Sequence, residues 1–257
     1  MKEKVGTKQM RDMTQMSLWR IFGKVIFGEW LRMLKIDRIG ASQFEHTIVY
    51  PIFTDILILM IYCYREILSK ETYDEENYNE DILRNDLKKY MEINQKKLLR
   101  KVCFRSESAT VDEKTKKTKG RIDISAFYRL GLPSEHDITF ECKRLSKNKK
   151  NRDYINEGLM DFVNGKYAEK MPLGGMVGFV EKGNISTICA DLRKKIHKKS
   201  PTKLKGEFTS TKIQDDFEHS YKSEHKRNNK IGNITIYHLL FDYTGIINST
   251  QESLKFN

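Results

Sequence analysis

Two runs of alternating residues near the middle of the chain predict a β-hairpin. Every second position of the first run is apolar or aromatic: Ile122, Ile124, Ala126 and Tyr128. The second run, residues 137–145, has its own apolar members: Ile138, Phe140, Cys142 and Leu145. Gly131 and Pro133 lie between the runs and are typical of a turn. Because side chains two apart on a strand share a face, the pattern puts the charged residues Glu141 and Lys143 side by side.

Further elements are predicted on both sides of the hairpin. Apolar residues at helical spacing predict helices over residues 14–35, 43–68, 80–95, 153–168 and 184–197. Strands are predicted within residues 98–111, 176–180 and 233–243, with a break at Gly174-Gly175 and basic loops over residues 114–119 and 147–152. Residues 208–230 are polar and give no prediction. The order of helices, then β, β, β, α, β, α, β, predicts an α/β (α+β) fold with a mixed central sheet and helices on its faces.

The beginning of the chain is predicted to be a helical extension. We expect this extension over residues 1–70 and one further domain over residues 71–257. Both tryptophans, Trp19 and Trp30, lie in the extension. Its helices either pack on the core or bind a protein partner or a second copy of the chain through residues 14–68.

No segment predicts a membrane anchor or secretion. An apolar run over residues 48–64 contains Pro51 and Asp55 and is short for a membrane span, so we expect a buried helix. Residues 1–16 lack the apolar segment of a signal peptide. The cysteines are widely spaced and form no metal-binding pair: Cys63, Cys103, Cys142 and Cys189. We therefore expect a cytoplasmic protein with reduced cysteines and no stable membrane insertion.

The charge balance favours a polyanionic partner. The chain of 257 residues carries a formal net charge of +12, with 39% apolar and 32% charged residues. Nucleic acid is the natural partner of such a surface, although a lysine-rich genome would also produce basic proteins without that role. Basic residues lie in and beside the hairpin strands, and these are the candidate phosphate contacts: Lys116, Lys117, Lys119, Arg144, Lys147, Lys149 and Lys150.

Acidic residues on the two hairpin strands form a candidate metal site. Asp123 on the first strand and Glu141 on the second can converge on one face of the sheet. Their carboxylates and the backbone carbonyl of Cys142 are oxygen ligands of the kind that Mg²⁺ or Mn²⁺ prefers. Lys143 can orient or deprotonate an attacking water, or stabilise charge that develops on phosphorus. Hydrolysis of phosphodiesters is therefore one hypothesis, and a plain cross-strand ion pair is the other interpretation of these charges.

Two segments of the hairpin resemble a known family. Gly120-Arg121-Ile122-Asp123-Ile124 and Phe140-Glu141-Cys142-Lys143-Arg144-Leu145 resemble the PD-(D/E)XK, or restriction-endonuclease-like, nuclease superfamily. Residues 154–167, 174–180 and 79–87 are similar to its bacterial members, many of which act in defence against phage. The resemblance covers roughly residues 79–243 and implies an αβββαβ core. It also implies divalent-metal-dependent hydrolysis of nucleic acid, for which we expect DNA in preference to RNA and a role in anti-phage defence.

The resemblance further implies roles for single residues. Asp123 and Glu141 would bind the metal ion, and Lys143 would assist the attacking water. The first helix of the family can supply another carboxylate, which points to Glu80. Glu107, on the first predicted strand, is the alternative additional acid.

The chain departs from the family pattern at two places. Ile122 stands where the family name has a proline, at a position that varies among members. Members often carry a basic residue where this chain has Met160-Asp161, and Lys166 is the nearest substitute for phosphate binding. The alternative function is a non-catalytic nucleic-acid-binding or adaptor module that keeps the nuclease fold.

Overall fold

The computed structural model gathers the alternating segments into one mixed sheet. It describes residues 49–99, 102–111, 118–128, 137–146, 149–199, 208–227 and 232–248. The strands in these ranges are β1 Tyr73–Asp74, β2 Val102–Val111, β3 Thr118–Tyr128, β4 Ile138–Leu145, β5 Leu173–Val180, β6 Thr209–Ser210, β7 Ser220–Lys226, β8 Asn233–Asp242 and β9 Ile247–Asn248. The main sheet has the order β2-β3-β4-β5-β8-β7-β6, and β1 pairs with β9 separately. The β4–β5 and β5–β8 pairs are parallel, whereas the other pairs of the main sheet are antiparallel.

Local sequence features explain where three of the described helices begin. They are α1 Tyr50–Lys70, α2 Glu80–Leu98, α3 Lys149–Asp153, a π-helical segment Tyr154–Leu159, α4 Met160–Val163 and α5 Ile185–Lys199. Pro51 lies in the first turn of α1, where a missing backbone N–H leaves no bond unmade. Asn79 caps α2, because its Oδ1 accepts a hydrogen bond from the Ile82 amide at 2.9 Å. Asn184 caps α5 in the same way, through the Ser186 amide.

Apolar layers cover both faces of strand β4. On one face, Phe53 of α1 stacks on Phe140, with the ring centroids 5.5 Å apart. On the other face, Leu145 lies in a buried cluster with Tyr154 of the π-helical segment and Leu192 of α5. This double coverage explains why the neighbouring parallel strand β5 is buried at every position.

Helix α1 packs directly on the sheet. The Tyr64 ring stacks on Phe241 with centroids 4.4 Å apart, and its hydroxyl donates to the Asp242 carbonyl at 3.0 Å. Residues from Ile52 onward form one compact unit, so the last part of the predicted extension lies in the same unit as the sheet. Within the described ranges, no helix is long and apolar enough to cross a membrane. The helix predicted over residues 14–35 lies outside those ranges.

The predicted break at Gly174-Gly175 is wrong, because both residues lie inside β5. These positions need glycine for packing rather than for a turn. A Cβ on Gly175 would lie 2.1 Å from the ring of Phe140, and one on Gly174 would lie 2.7 Å from the ring of Phe162. The strand therefore begins before the predicted residue 176, and its missing side chains make room for aromatic rings from β4 and α4.

One other segment differs from the sequence expectation, and one strand lies where the sequence gives no prediction. The sequence predicts a basic loop over residues 147–152, but residues 149–152 lie in helix α3, where Lys and Arg are favourable. Strand β7 lies within residues 208–230, for which the sequence gives no prediction. Its polar residues Ser223 and His225 are nevertheless buried, and they hydrogen-bond to each other at 2.7 Å.

The predicted α/β class with a mixed sheet is confirmed. Between Glu80 and Val180 the elements follow the order α2, β2, β3, β4, α3, the π-helical segment, α4 and β5. The assignment of this order to a restriction-endonuclease-like core stays a prediction. The arrangement brings the first turn of α2 to the edge of β4, where the predicted acidic residues lie.

Candidate active site

Strands β3 and β4 separate at the point where the acidic residues occur. Their pairing joins Ile124–Ala126 to Ile138–Phe140, whereas β4 stays paired with β5 as far as Leu145. The amide of Cys142 donates to Asp123 Oδ2 at 2.8 Å, and the amide of Arg144 donates to Glu80 Oε2 at 3.1 Å. Carboxylates therefore take the place of a paired strand along this stretch of β4, as buried amides require an acceptor.

Lys143 joins the acidic residues of β4 and α2. Its Nζ lies 2.9 Å from Glu141 Oε1 and 3.1 Å from Glu80 Oε1. Glu141 and Lys143 share a face of β4, as the alternation of a strand requires. Glu80 reaches them from the first residue of α2, so the helix start and the strand edge supply one cluster.

Glu141 is the least satisfied carboxylate of the cluster. The residue is 4% exposed, and its Oε2 has no hydrogen-bond partner among the described residues. Burial and the nearby negative charge of Asp123 raise the pKa of Glu141 to about 8, and the attraction of Lys143 only partly opposes this. Among the described residues, Glu141 therefore pairs with Lys143 through Oε1, while its Oε2 contacts neither a donor nor a cation.

Lys143 keeps its positive charge despite being largely buried. Burial alone would lower its pKa, but the carboxylates of Glu141, Glu80 and Asp123 outweigh burial and raise it. The side chain is 15% exposed, so the ammonium lies at the edge of the solvent rather than in it. Lys143 therefore acts as a hydrogen-bond donor and a positive charge in this arrangement, and not as a proton acceptor.

Asp123 forms an ion pair with a second cation, the guanidinium of Arg84. Nη1 of Arg84 is 3.0 Å from Asp123 Oδ1 and also 3.0 Å from Oδ1 of Asp81, one turn earlier on α2. Arg84 is 5% exposed and Asp123 is 9% exposed, so their ion pair is buried. Both oxygens of Asp123 thus accept hydrogen bonds, one from Arg84 and one from the amide of Cys142.

A separate carboxylate, Glu181, lies just after β5 and is fully satisfied. It accepts hydrogen bonds from the Tyr78 hydroxyl at 2.8 Å, from Arg144 Nε at 2.5 Å and from Lys150. The guanidinium of Arg144 also lies 4.6 Å from the centroid of the Tyr78 ring. Although burial opposes ionisation, these donors outweigh it and lower the pKa of Glu181. Arg144 and Lys150 are therefore held against an internal carboxylate.

The structure brings together the acidic residues and the lysine that the sequence singled out. Lys143 contacts both Glu141 and Glu80, and Asp123 accepts a hydrogen bond from the backbone amide of Cys142, which lies between Glu141 and Lys143 on β4.

The residues predicted to contact phosphate are either paired with carboxylates of the chain or lie outside what the structure describes. Arg144 and Lys150 pair with Glu181, and Lys166 pairs with Asp161 at 2.5 Å. The remaining candidates are outside the described residues, either entirely or in their side chains: Lys116, Lys117, Lys119, Lys147, Lys149 and the alternative acid Glu107.

Sequence reasoning missed three residues that organise this region. Arg84 comes four residues after Glu80 on α2, so helical spacing alone puts both on one face, and this signal was available. Glu181 directly follows the apolar run of β5, where a polar residue at the end of a buried strand is notable. Tyr78, two residues before Glu80, had no signal, because its partner is 103 positions away in the chain.

The donor set suits a hard divalent cation. As the side chains are arranged, no group of three or more His, Cys, Asp or Glu in the described ranges is placed to hold a metal ion. In this arrangement Arg84 and Lys143 are the cations that contact the carboxylates. The unused, buried oxygen of Glu141 beside a second carboxylate is nevertheless the feature that a bound cation would satisfy. In chemical type, the residues present are oxygen donors of the kind that Mg²⁺ or Mn²⁺ prefers.

Comparison with known proteins identifies no relative of the chain. No family model matches it, no curated protein matches it, and no solved structure matches it. The contacts of the site are therefore the basis for the function proposed next.

Proposed function

We propose that this protein is a divalent-metal-dependent nuclease that hydrolyses phosphodiester bonds in nucleic acid. One observation carries the proposal: at the separated edge of β4, buried Glu141 has an oxygen without a partner beside an ammonium that carboxylates keep charged. Structural ion pairs seldom leave a buried carboxylate oxygen unsatisfied. Perturbed carboxyl and amine groups that occur together are characteristic of catalytic sites.

In this proposal the carboxylates hold the metal ion. Asp123, Glu141 and Glu80 would be the ligands, together with the backbone carbonyl of Cys142. When bound, Mg²⁺ or Mn²⁺ would supply Lewis-acid charge to the phosphodiester. Glu141 is the residue with the most to gain, because a cation would satisfy its free oxygen and offset the repulsion from Asp123.

Lys143 would stabilise charge rather than accept a proton. Its raised pKa keeps the ammonium protonated, so it can donate to an attacking water or to a phosphate oxygen as negative charge develops there. The contacts with Glu141 and Glu80 fix the position of Nζ from two sides. A donor that is already oriented needs little reorganisation when charge develops, and this is how such donors accelerate a reaction.

The substrate class follows from charge. A formal net charge of +12 favours a polyanion, and nucleic acid joins its units by the bond that this site would hydrolyse. The resemblance to restriction-endonuclease-like nucleases favours DNA ahead of RNA and a role in anti-phage defence.

A cleavage panel with matched variants tests this function. Supercoiled DNA and single-stranded RNA are incubated with the full chain in Mg²⁺, in Mn²⁺ and in chelator. We expect metal-dependent cleavage that Glu141→Gln and Lys143→Met each reduce by at least about 100-fold. The matched control is Glu157→Gln, which changes an exposed carboxylate of the π-helical segment and should cleave like the wild type. Full cleavage by folded Glu141→Gln and Lys143→Met proteins would remove the assignment.

A second candidate function is nucleic-acid binding without cleavage. The observation that favours it is the pairing of every carboxylate in the cluster with a cation of the chain: Asp123 with Arg84, and both Glu80 and Glu141 with Lys143. Such ion pairs can stabilise the fold in a protein that has no catalytic activity. Metal-independent binding that weakens steeply with salt, with no cleavage of any substrate in the panel, would favour this candidate.

A further inference from the structure

The contact between Arg84 and Asp123 has no role in the chemistry described above. Nη1 of Arg84 lies 3.0 Å from Asp123 Oδ1, and the two side chains are 6% and 12% exposed. The other oxygen of Asp123 accepts the amide of Cys142 at 2.8 Å. A proposed metal ligand is thus engaged on both oxygens by donors of its own chain.

The charges of the cluster make Arg84 and a divalent cation competitors. Apart from the exposed Asp81, the carboxylates of Asp123, Glu141 and Glu80 face the cations Lys143 and Arg84, and these five groups sum to −1 when all are counted as ionised. Without Arg84 the charge would be −2, which a divalent cation neutralises. Two cations held close together at low dielectric repel strongly, and therefore each disfavours the other at Asp123.

Helix α2 offers Arg84 another acceptor. Oδ1 of Asp81 is also 3.0 Å from Nη1 of Arg84, and the Asp81 side chain is 66% exposed. The two residues are three apart on the helix, so they stay neighbours whatever happens at Asp123. If Arg84 turns toward Asp81, the guanidinium keeps an ion pair and gains hydration, while Asp123 is released.

We propose that Arg84 is a displaceable counter-cation of Asp123, which must turn toward Asp81 before a divalent cation can bind. The proposal rests on the proposed nuclease function, because it takes Asp123 as a metal ligand. It makes the buried ion pair and metal binding mutually exclusive. Arg84 then sets the metal concentration at which the site becomes active, although it takes no part in the reaction itself.

Binding of Mn²⁺ to the full chain, measured by isothermal titration calorimetry without substrate, tests the proposal. Arg84→Gln keeps a donor for Asp123 but removes the charge, and it should bind Mn²⁺ at least about tenfold more tightly than the wild type. Arg84→Lys keeps the charge and should stay within about threefold of the wild type. The control Lys88→Gln removes a charge from the same helix, at a lysine that pairs with Glu92, and should change affinity by less than about twofold.

A measurement on the wild-type protein covers the case in which Arg84→Gln does not fold. Phenylglyoxal modifies accessible arginine side chains, and mass spectrometry of peptides gives the rate at Arg84. The buried ion pair should make this rate slow, and saturating Mg²⁺ should raise it at least about threefold as the guanidinium leaves Asp123. An unchanged or slower rate with Mg²⁺ would overturn the proposal, as would equal or weaker Mn²⁺ binding by folded Arg84→Gln.

The outcomes separate this inference from the function on which it rests. If the wild type cleaves nucleic acid with Mn²⁺ while Arg84→Gln binds the ion no more tightly, the role of Arg84 is wrong and the nuclease assignment stands. If neither protein binds Mn²⁺ and the wild type does not cleave, the metal site is wrong and Arg84 has nothing to displace.

Discussion

Glu141 and Glu181 are two glutamates with the same burial and opposite electrostatics. Each is 4% exposed, and they lie on neighbouring parallel strands, Glu141 within β4 and Glu181 just after β5. The pKa of Glu141 is raised to about 8, whereas the pKa of Glu181 is lowered. Burial alone would raise both, so burial does not decide which of them is ionised.

The difference comes from the partners of each carboxylate. Glu181 accepts hydrogen bonds from a tyrosine, an arginine and a lysine, and together these outweigh the loss of water. Glu141 shares one lysine with Glu80, lies near the negative charge of Asp123 and keeps a free oxygen. A satisfied buried carboxylate holds the fold together, and an unsatisfied one is the better candidate to bind something else.

The largest expected effect is on stability when Glu181 is truncated. Glu181→Ala leaves the buried part of Arg144 and the Tyr78 hydroxyl without their acceptor, so it should lower the free energy of unfolding by about 4 kcal/mol. Glu141→Gln removes a repelled charge while Lys143 keeps Glu80, so its change should stay within about 1 kcal/mol. Urea unfolding in chelator, followed by circular dichroism, measures both values.

A larger loss of stability for Glu141→Gln than for Glu181→Ala would contradict the contrast between the two glutamates. If Glu141→Gln lost several kcal/mol while Glu181→Ala lost little, then Glu141 would be the structural carboxylate and its free oxygen would have no functional meaning. Exposed Glu157→Gln serves as the control and should unfold like the wild type.

The next largest expected effect is the loss of stability at low pH caused by the buried histidine His225. It tests whether burial without a counter-charge also keeps a basic group neutral. His225 is 1% exposed, its Nε2 lies 2.7 Å from Ser223 Oγ, and burial lowers its pKa to about 4. The unfolded chain takes up a proton near pH 6.5 while the folded protein does not. The stability that His225 contributes is therefore complete above pH 6.5 and is lost as pH falls toward 4, by about 2.5 kcal/mol at pH 4.5.

Unfolding free energies of the wild type and His225→Gln between pH 7.5 and 4.5 measure this contribution. The wild type should lose about 2.5 kcal/mol more than the variant across that range, because carboxylates affect both proteins equally. His197→Gln changes an exposed histidine and should follow the wild-type profile. Parallel profiles for the wild type and His225→Gln would show that burial without a counter-charge does not keep this base neutral.

The parts of the site that follow from local pattern were predictable. Alternation over β3 and β4 put Asp123, Glu141 and Lys143 on adjacent strands, and the structure has both strands there. The acidic start of α2 was predicted as a helix beginning at Glu80, and it begins at that residue. These features depend on periods of two and 3.6 residues, which are properties of the sequence itself.

The parts that depend on how elements meet were not predictable. No residue pattern marks the separation of β3 from β4, which lies before Ile124 on β3 and after Phe140 on β4, because register depends on the packing of whole elements. For the same reason no local pattern shows the approach of Glu80 to Lys143, 63 positions away in the chain, and only the family resemblance pointed to Glu80. Gly174 and Gly175 led to a false prediction of a break in the strand. The sequence does not distinguish a glycine that makes room for an aromatic ring from a glycine in a turn.

The smallest expected effect is at the exposed partner of Glu181. The Lys150 side chain is 35% exposed, and Glu181 keeps Arg144 and Tyr78 when the ammonium is removed. Lys150→Met should therefore lower the free energy of unfolding by less than about 1 kcal/mol, as for other solvent-accessible ion pairs. Lys182→Met, at a more exposed lysine that pairs with Glu75, is the matched control and should change still less. A loss from Lys150→Met as large as that from Glu181→Ala would mean that one lysine keeps Glu181 ionised, and the contrast with Glu141 would then depend on a single cation rather than on the number of donors.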